Sequence, residues 1–293
     1  MYEAGGVAFH SSANSHALVP SNGHHLTLDD IDERVITGDD IHSAPTKIVA
    51  LENTLSGMVF PQDEIVKISD AMHKEGIIMH CDGARMWEAQ AKTGLSLEEL
   101  CAPFDTLSLC MSKGLGAPIG SVLVGPKKFI EKANWFRKCF GGGIRQSGGL
   151  AAAANYALDN HFPLLKGTHA LATSLAIRLA DAGVRIVLPV ETNMLWIDTN
   201  HLGFAIWELA TRAKERGIRL GANRLIVHHQ VSEQATDDLV LLVTEMIAEH
   251  KDQAVHDGLY DEAISKRYAR GEWEGAPVKP MSYVKTAYQT QRR

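Results

Sequence analysis

The sequence predicts an α/β protein with a large domain built on a mostly parallel sheet and a smaller α+β domain after it. Between about residues 47 and 150, short apolar runs alternate with stretches of helical periodicity, the pattern of βαβ units. Past about residue 165 the pattern changes to an Ala- and Leu-rich helix followed by short strands and helices. The chain has 293 residues, 45% of them hydrophobic and 22% charged, which is enough to bury a core in each part. These features divide the chain into a large domain over 1–160, a small domain over 161–250 and a polar tail over 251–293.

The first half reads as follows. KIVALEN is a buried strand, and PQDEIVKISDAMHKEG is an amphipathic helix with a Pro start and a Gly stop. IIMHCDGAR is the next strand, ending in a polar turn. SLEELCAPF is a short helix, DTLSLCMSK a strand and SVLVG another. PKKFIEKANWFRKCF is a helix stopped by the glycines of GGGIRQSGG, and AAAANYALDNHF begins a long connecting helix. In the small domain, HALATSLAIRLADAG and AIWELATRAKERG are helices, and RIVLPV, MLWIDT, IRLGA and RLIVHH are strands. VSEQATDDLVLLVTEMIAEH closes the domain as a helix with Ser232 at its N-cap.

Composition excludes several classes of function. A formal charge of −6 with scattered basic residues gives no footprint for a phosphate backbone, so no nucleic-acid partner is expected. The longest apolar runs, such as LVLLV, fall well short of a membrane span. The opening MYEAGGVAFHSSANSH has neither a secretory signal nor the Arg-rich character of a transit peptide, so the expected compartment is the cytoplasm. Cys81, Cys101, Cys110 and Cys139 lack CxxC spacing and read as buried free thiols. His24 and His25 lie in a polar turn, and His228 and His229 lie in a strand with no carboxylate at ligand spacing, so no metal site is expected.

Ligands of an open α/β sheet sit beyond the carboxyl ends of its strands. Two predicted strands end there in reactive residues, Asp82 after IIMHC and Lys113 after SLCMS. The GLGAPIG that follows Lys113 lets the backbone pass close to a bulky planar group, and a lysine so placed can act as a nucleophilic amine. A surface lysine in a glycine-rich turn fits the spacing equally well. Asp82, at the end of an apolar strand, needs a partner, because a desolvated carboxylate is costly. A protonated pyridinium nitrogen is one such partner, and a protonated ring is the electron sink that carbanion chemistry at an amino acid Cα requires. Arg85, three residues on, offers paired donors to a ring oxygen or a carboxylate; a structural Asp–Arg pair at a turn is the alternative.

The runs LENTLSGMVFP, HCDGARMWEA, LCMSKGLGAPIGSVLVG and RKCFGGGIRQSGGLAAA, in this order, closely resemble the low-specificity threonine aldolases. These are members of the β-eliminating lyase group with an aspartate aminotransferase-like, type I fold dependent on pyridoxal phosphate. The resemblance covers roughly Tyr2 to His250 and is weakest in the small domain, where NRLIVHHQVS stands out. It implies Lys113 as the Schiff-base lysine, Asp82 as the partner of the pyridinium nitrogen, and Arg85 as a contact to the cofactor's phenolic oxygen or the substrate carboxylate. It also implies Arg224 as the carboxylate-binding arginine, although a solvated arginine at a strand start is as common. His42 falls where the family keeps a histidine near the substrate hydroxyl; as a lone His after two Asp it reads more simply as a cap or surface residue. Arg145 can reach phosphate, of its own or a neighbouring subunit, and Tyr2 matches a tyrosine near the site.

The activity so implied is cleavage of the Cα–Cβ bond of L-threonine or L-allo-threonine to glycine and acetaldehyde, by a homodimer or homotetramer acting on a small amino acid. It is a reaction of threonine catabolism and glycine biosynthesis. Fungal-type relatives that act as alanine racemases use the same lysine and aspartate, and these motifs do not separate the two. The family carries further strands, a phosphate-holding Gly-Thr loop and a ring-stacking histidine upstream of Tyr2, so an N-terminally shortened large domain is expected here. A truncated, non-catalytic member with weak cofactor binding is the third reading.

Overall fold

The structure is a computed structural model that describes residues 5–255, 260–273 and 275. Two short helices, α1 (Gly6–Ser11) and α2 (Leu28–Asp32), precede the first sheet. Thr27 and Asp30 form a reciprocal capping box at the start of α2. The large sheet then follows the expected alternation: β1 (Ile48–Glu52), α3 (Gln62–Lys74), β2 (Ile78–Gly83), α4 (Met86–Thr93), α5 (Leu97–Cys101), β3 (Thr106–Cys110) and β4 (Ser121–Val124). Its strand order is β1-β2-β3-β4, with the first three parallel and β4 antiparallel to β3.

Helix α3 shows why this part folds as it does. Ile65, Ile68 and Met72 form its buried stripe, with Asp63 and Glu64 in the first turn and His73 and Lys74 in the last, so charge complements the helix dipole. Strand β1 differs from the buried strand expected: it lies at the sheet edge, and Leu51 alone is fully buried. Strand β4 is exposed along its length, and α6 (Lys127–Cys139) buries no residue.

The chain continues through α7 (Gly148–Asn160) into α8 (Leu165–Asp181). α8 belongs to both cores. Leu165 packs into the first, whereas Ala172, Leu175, Ala176 and Leu179 lie in the second. The small sheet has the order β5 (Arg185–Ile186), β6 (Met194–Asp198) and β7 (Arg224–Ile226), all antiparallel. α9 (Ile206–Glu215), α10 (Glu233–Glu249) and α11 (Glu262–Ala269) complete the described elements, with Ser232 capping α10 as expected. The segment expected as strand IRLGA is irregular, because β5 and β7 already occupy both edges of β6. RIVLPV is cut to two strand residues; Pro189 cannot donate to a ladder.

The loop after β1 is where the two sheets meet. Met58 packs with Leu188, Met194 and Trp196. Trp196 Nε1 donates to Ser56 O at 2.9 Å, and Thr192 Oγ1 donates to Gly57 O at 2.6 Å. Gly57 has φ +102°, and a Cβ there would stand 2.8 Å from Met194 Cβ, so both backbone and space require glycine. Gly57→Ala is expected to destabilise the fold by about 2–4 kcal/mol, combining left-handed strain with overpacking, as read from the midpoint of denaturant unfolding. Of the four cysteines, all free, Cys81 is buried, Cys101 and Cys110 are half-buried and Cys139 is exposed; this corrects the expectation that all lie inside. Cys139 ends α6, which has no side packed on a core.

Candidate active site

The three parallel strands deliver their C-terminal ends to one crevice. Glu52 and Asp82 are register partners at the ends of β1 and β2, and Asp82 is aligned with Ser108 of β3. The turns beyond these ends are laced together. Asn53 N donates to Asp82 O at 3.0 Å, and Arg85 N donates to Asn53 O at 3.1 Å. Ala84 N donates to Asp82 Oδ1 at 3.0 Å, so the carboxylate also shapes its own turn.

Lys113 lies three residues past β3, at the head of a tight turn closed by Gly116 N donating to Lys113 O at 2.8 Å. The turn is tied back to the sheet by Ala117 N donating to Met111 O and by Met111 N donating to Gly120 O, both at 3.0 Å. Lys113 itself is exposed. Burial raises the pKa of the neighbouring Cys110 thiol, but hydrogen bonding with Ser112 and the nearby Lys113 outweigh it and leave the thiol below its ordinary value.

Glu52 joins these residues electrostatically. It keeps contact with solvent, yet the crevice desolvates its carboxyl group enough to push its pKa up; Asp82 adds to the rise, and Arg85 and Lys113 oppose it. The ionised form is therefore disfavoured in the folded chain. The stability this group contributes is complete below its unfolded pKa and is lost as pH rises through the higher folded value. Glu52→Gln should therefore gain in melting temperature relative to the unsubstituted chain as pH rises above the ordinary glutamate range, as thermal unfolding at each pH would show.

The other expected residues lie at different depths and on different elements. Arg85 is half-buried at the N-cap of α4. Arg224 opens β7, with its guanidinium 5.8 Å from the Trp196 ring centre. His42 lies in an exposed turn, where its side chain is 83% exposed and Nδ1 is 2.9 Å from Asp40 Oδ1. Arg145 is exposed between α6 and α7. Tyr2 lies outside the described residues. The structure thus brings Asp82, Arg85 and Lys113 together with Glu52, and sets His42 and Arg145 on the surface.

Two acidic residues escaped the sequence reading. Glu52 had a usable signal, since it ends a predicted strand just as Asp82 does. Glu88 had a weaker one: it is flanked by Met86, Trp87 and Ala89, all buried, in a helix that starts right after Arg85. It is 1% exposed and pairs with His169 of α8 at 2.5 Å. Among the described residues, no cluster of His, Cys, Asp and Glu could hold a metal ion.

An amine, a carboxylate and a guanidinium at adjacent strand ends suit a planar, anionic, ring-nitrogen cofactor such as pyridoxal phosphate. Asn53 Nδ2 and Thr54 Oγ1, beside Asp82, are buried with no hydrogen-bond partner among the described residues, which leaves polar capacity in the same crevice. This fold and this placement of lysine and aspartate define a type I α/β protein of the aminotransferase-like class.

The chain belongs to the beta-eliminating lyase family, whose model matches residues 1–201. It is 42% identical over 238 residues to a probable low-specificity L-threonine aldolase of Schizosaccharomyces pombe, a match covering 81% of this chain and 62% of that protein. It is 36% identical over 247 residues to the alanine racemase TOXG of Cochliobolus carbonum, covering 82% of this chain and 64% of that one. The chain thus spans less than two thirds of the length of either relative. A solved structure of Leishmania major threonine aldolase superposes with a TM-score of 0.69 at 19% identity, covering 84% of this chain and 74% of that one, and shows the same fold.

Proposed function

We propose that this chain is a pyridoxal phosphate-dependent aldehyde-lyase that cleaves L-threonine or L-allo-threonine between Cα and Cβ to give glycine and acetaldehyde. The observation that carries this reading is the convergence of Asp82, Arg85 and Lys113 at adjacent strand ends in a chain 42% identical, over 238 residues, to a probable low-specificity L-threonine aldolase. When bound, pyridoxal phosphate supplies an electron sink for the charge that develops at the amino acid Cα.

The chain's own residues divide the remaining work. Lys113 offers the amine that would hold the cofactor at the end of β3. Asp82 would favour a proton at the ring nitrogen, and the hydrogen bond from Ala84 N to its Oδ1 orients that carboxylate. Arg85 and Arg224 bind the substrate carboxylate from opposite sheets, and Arg145 serves the cofactor phosphate. His42 takes the β-hydroxyl proton: in the neutral tautomer that donates Nδ1–H to Asp40, Nε2 is the accepting atom. The expected assembly is a homodimer or homotetramer in the cytoplasm, working in threonine breakdown and glycine supply. No helix among the described residues is long and apolar enough to cross a membrane.

The racemase relative keeps a second reading open, in which a proton rather than a carbon substituent leaves Cα. Incubation with L-threonine, L-allo-threonine and L-alanine, followed by assay of acetaldehyde, glycine and D-alanine, tests both. Acetaldehyde and glycine in equal amounts support the lyase. D-alanine without acetaldehyde overturns it in favour of the racemase, and no product from any substrate overturns both.

A further inference from the structure

We infer that Glu88 is a positioning residue for Lys113, its buried carboxyl group bracing the backbone of the turn that presents the amine. The inference rests on the proposed role of Lys113 and extends the machinery to a residue behind the crevice. Glu88 projects from α4, and its Oε2 lies 2.5 Å from His169 Nε2 on α8. Its other oxygen, Oε1, is buried and has no hydrogen-bond partner among the described residues. That oxygen is pressed against Gly114, the residue after Lys113: a Cβ built there would stand 1.9 Å from Oε1 and 2.9 Å from Cδ. The next neighbour, Leu165 Cδ2 at 3.5 Å, is in ordinary contact range, and Gly114 does not have positive φ. Glu88 is therefore the group that a side chain at position 114 would have to displace.

A buried carboxyl group with one bare oxygen is costly, and the neighbouring positions of α4 show that apolar residues fit there. A helix staple would need only the Oε2 contact to His169. The bare oxygen sits instead where it limits the backbone beside the reactive amine. Two further groups grip the same turn from other elements. His161, at the end of α7, places Nδ1 2.6 Å from Leu115 O. His228, just past β7, places Nε2 3.3 Å from where a Cβ of Gly116 would lie. With Lys113 O closed onto Gly116 N, the four-residue turn is enclosed by groups from α4, the end of α7 and the segment after β7, and Glu88 meets it at the residue next to Lys113.

The test compares the unsubstituted chain with Glu88→Ala, Glu88→Gln, Gly114→Ala and the double variant Glu88→Ala/Gly114→Ala. Covalent attachment of added pyridoxal phosphate is read by visible absorbance and by mass of the borohydride-reduced Lys113 peptide. Hydrogen exchange over residues 111–117 is read on the cofactor-free chain. Glu88→Ala and Gly114→Ala are each expected to weaken attachment about tenfold or more and to speed exchange in that segment. The double variant should be no worse than Glu88→Ala alone, because removing the carboxyl makes room for the added methyl. Glu88→Gln, which keeps the volume against Gly114, should leave exchange over 111–117 near that of the unsubstituted chain, and Gly114→Ala covers the case in which Glu88→Ala fails to fold.

Exchange that rises in α8 but not over 111–117, with attachment unchanged, overturns the inference and leaves Glu88 as a staple between helices. Losses in the two single variants that simply add also overturn it. If the unsubstituted chain attaches no cofactor, the proposed function fails on its own, and the cofactor-free exchange still decides whether Glu88 braces the turn.

Discussion

Lys113→Ala is expected to abolish the visible absorbance that pyridoxal phosphate gains on covalent attachment, and with it any turnover. The amine has no substitute in the turn: residues 114–120 are GLGAPIG, without another nucleophile. The change should leave the fold intact. Lys113 is exposed, and its backbone turn is closed by main-chain bonds that alanine preserves, so stability should move by no more than about 0.5 kcal/mol. Absorbance spectra with added cofactor and a denaturation curve, taken on the same preparation, check both halves. An attached-cofactor band surviving in the variant would move the covalent site to another lysine.

Asp82→Asn should be nearly as damaging to turnover while sparing attachment. The amide keeps the shape and the oxygen that accepts from Ala84 N but loses the charge that favours a protonated ring nitrogen. Removing one pre-organised charge of this kind costs about 10²- to 10³-fold in kcat. There is a coupled effect on Glu52, whose pKa is raised by burial and then by Asp82. Neutralising Asp82 removes that second push, so Glu52 should ionise at lower pH in the variant. NMR titration of the carboxyl carbon would show this as a downward shift; an unmoved titration would mean that the two side chains do not share the crevice.

Much of the large-domain fold was legible because its signals are local and periodic. The alternation of α3 between β1 and β2, the Pro start and Gly stop of α3, and the Ser232 cap of α10 all follow from short-range chemistry. The failures have a different origin. IRLGA has strand-like composition, but strand formation needs a free partner edge, which a linear pattern does not record. β1 reads as apolar, yet its burial is decided by its edge position. In the site, Asp82 and Lys113 were visible as chemical residues at strand ends. Glu52 shared that position but was read as part of the strand alone. Glu88 was beyond reach of spacing: its partner His169 is 81 residues away, and its contact with Gly114 exists only once α4 is packed behind the turn.

The anchorage of Trp196 on Ser56 has a mechanical consequence. Trp196 also stacks beneath Arg224, and residues 53–57 run directly on from the strand end that backs Asp82. Arg224 and the loop that follows β1 beside Asp82 are therefore parts of one linkage, two side chains and a short loop long. Any displacement of the small sheet that kept its hydrogen bonds would drag this loop with it, so the two ends of the crevice travel together.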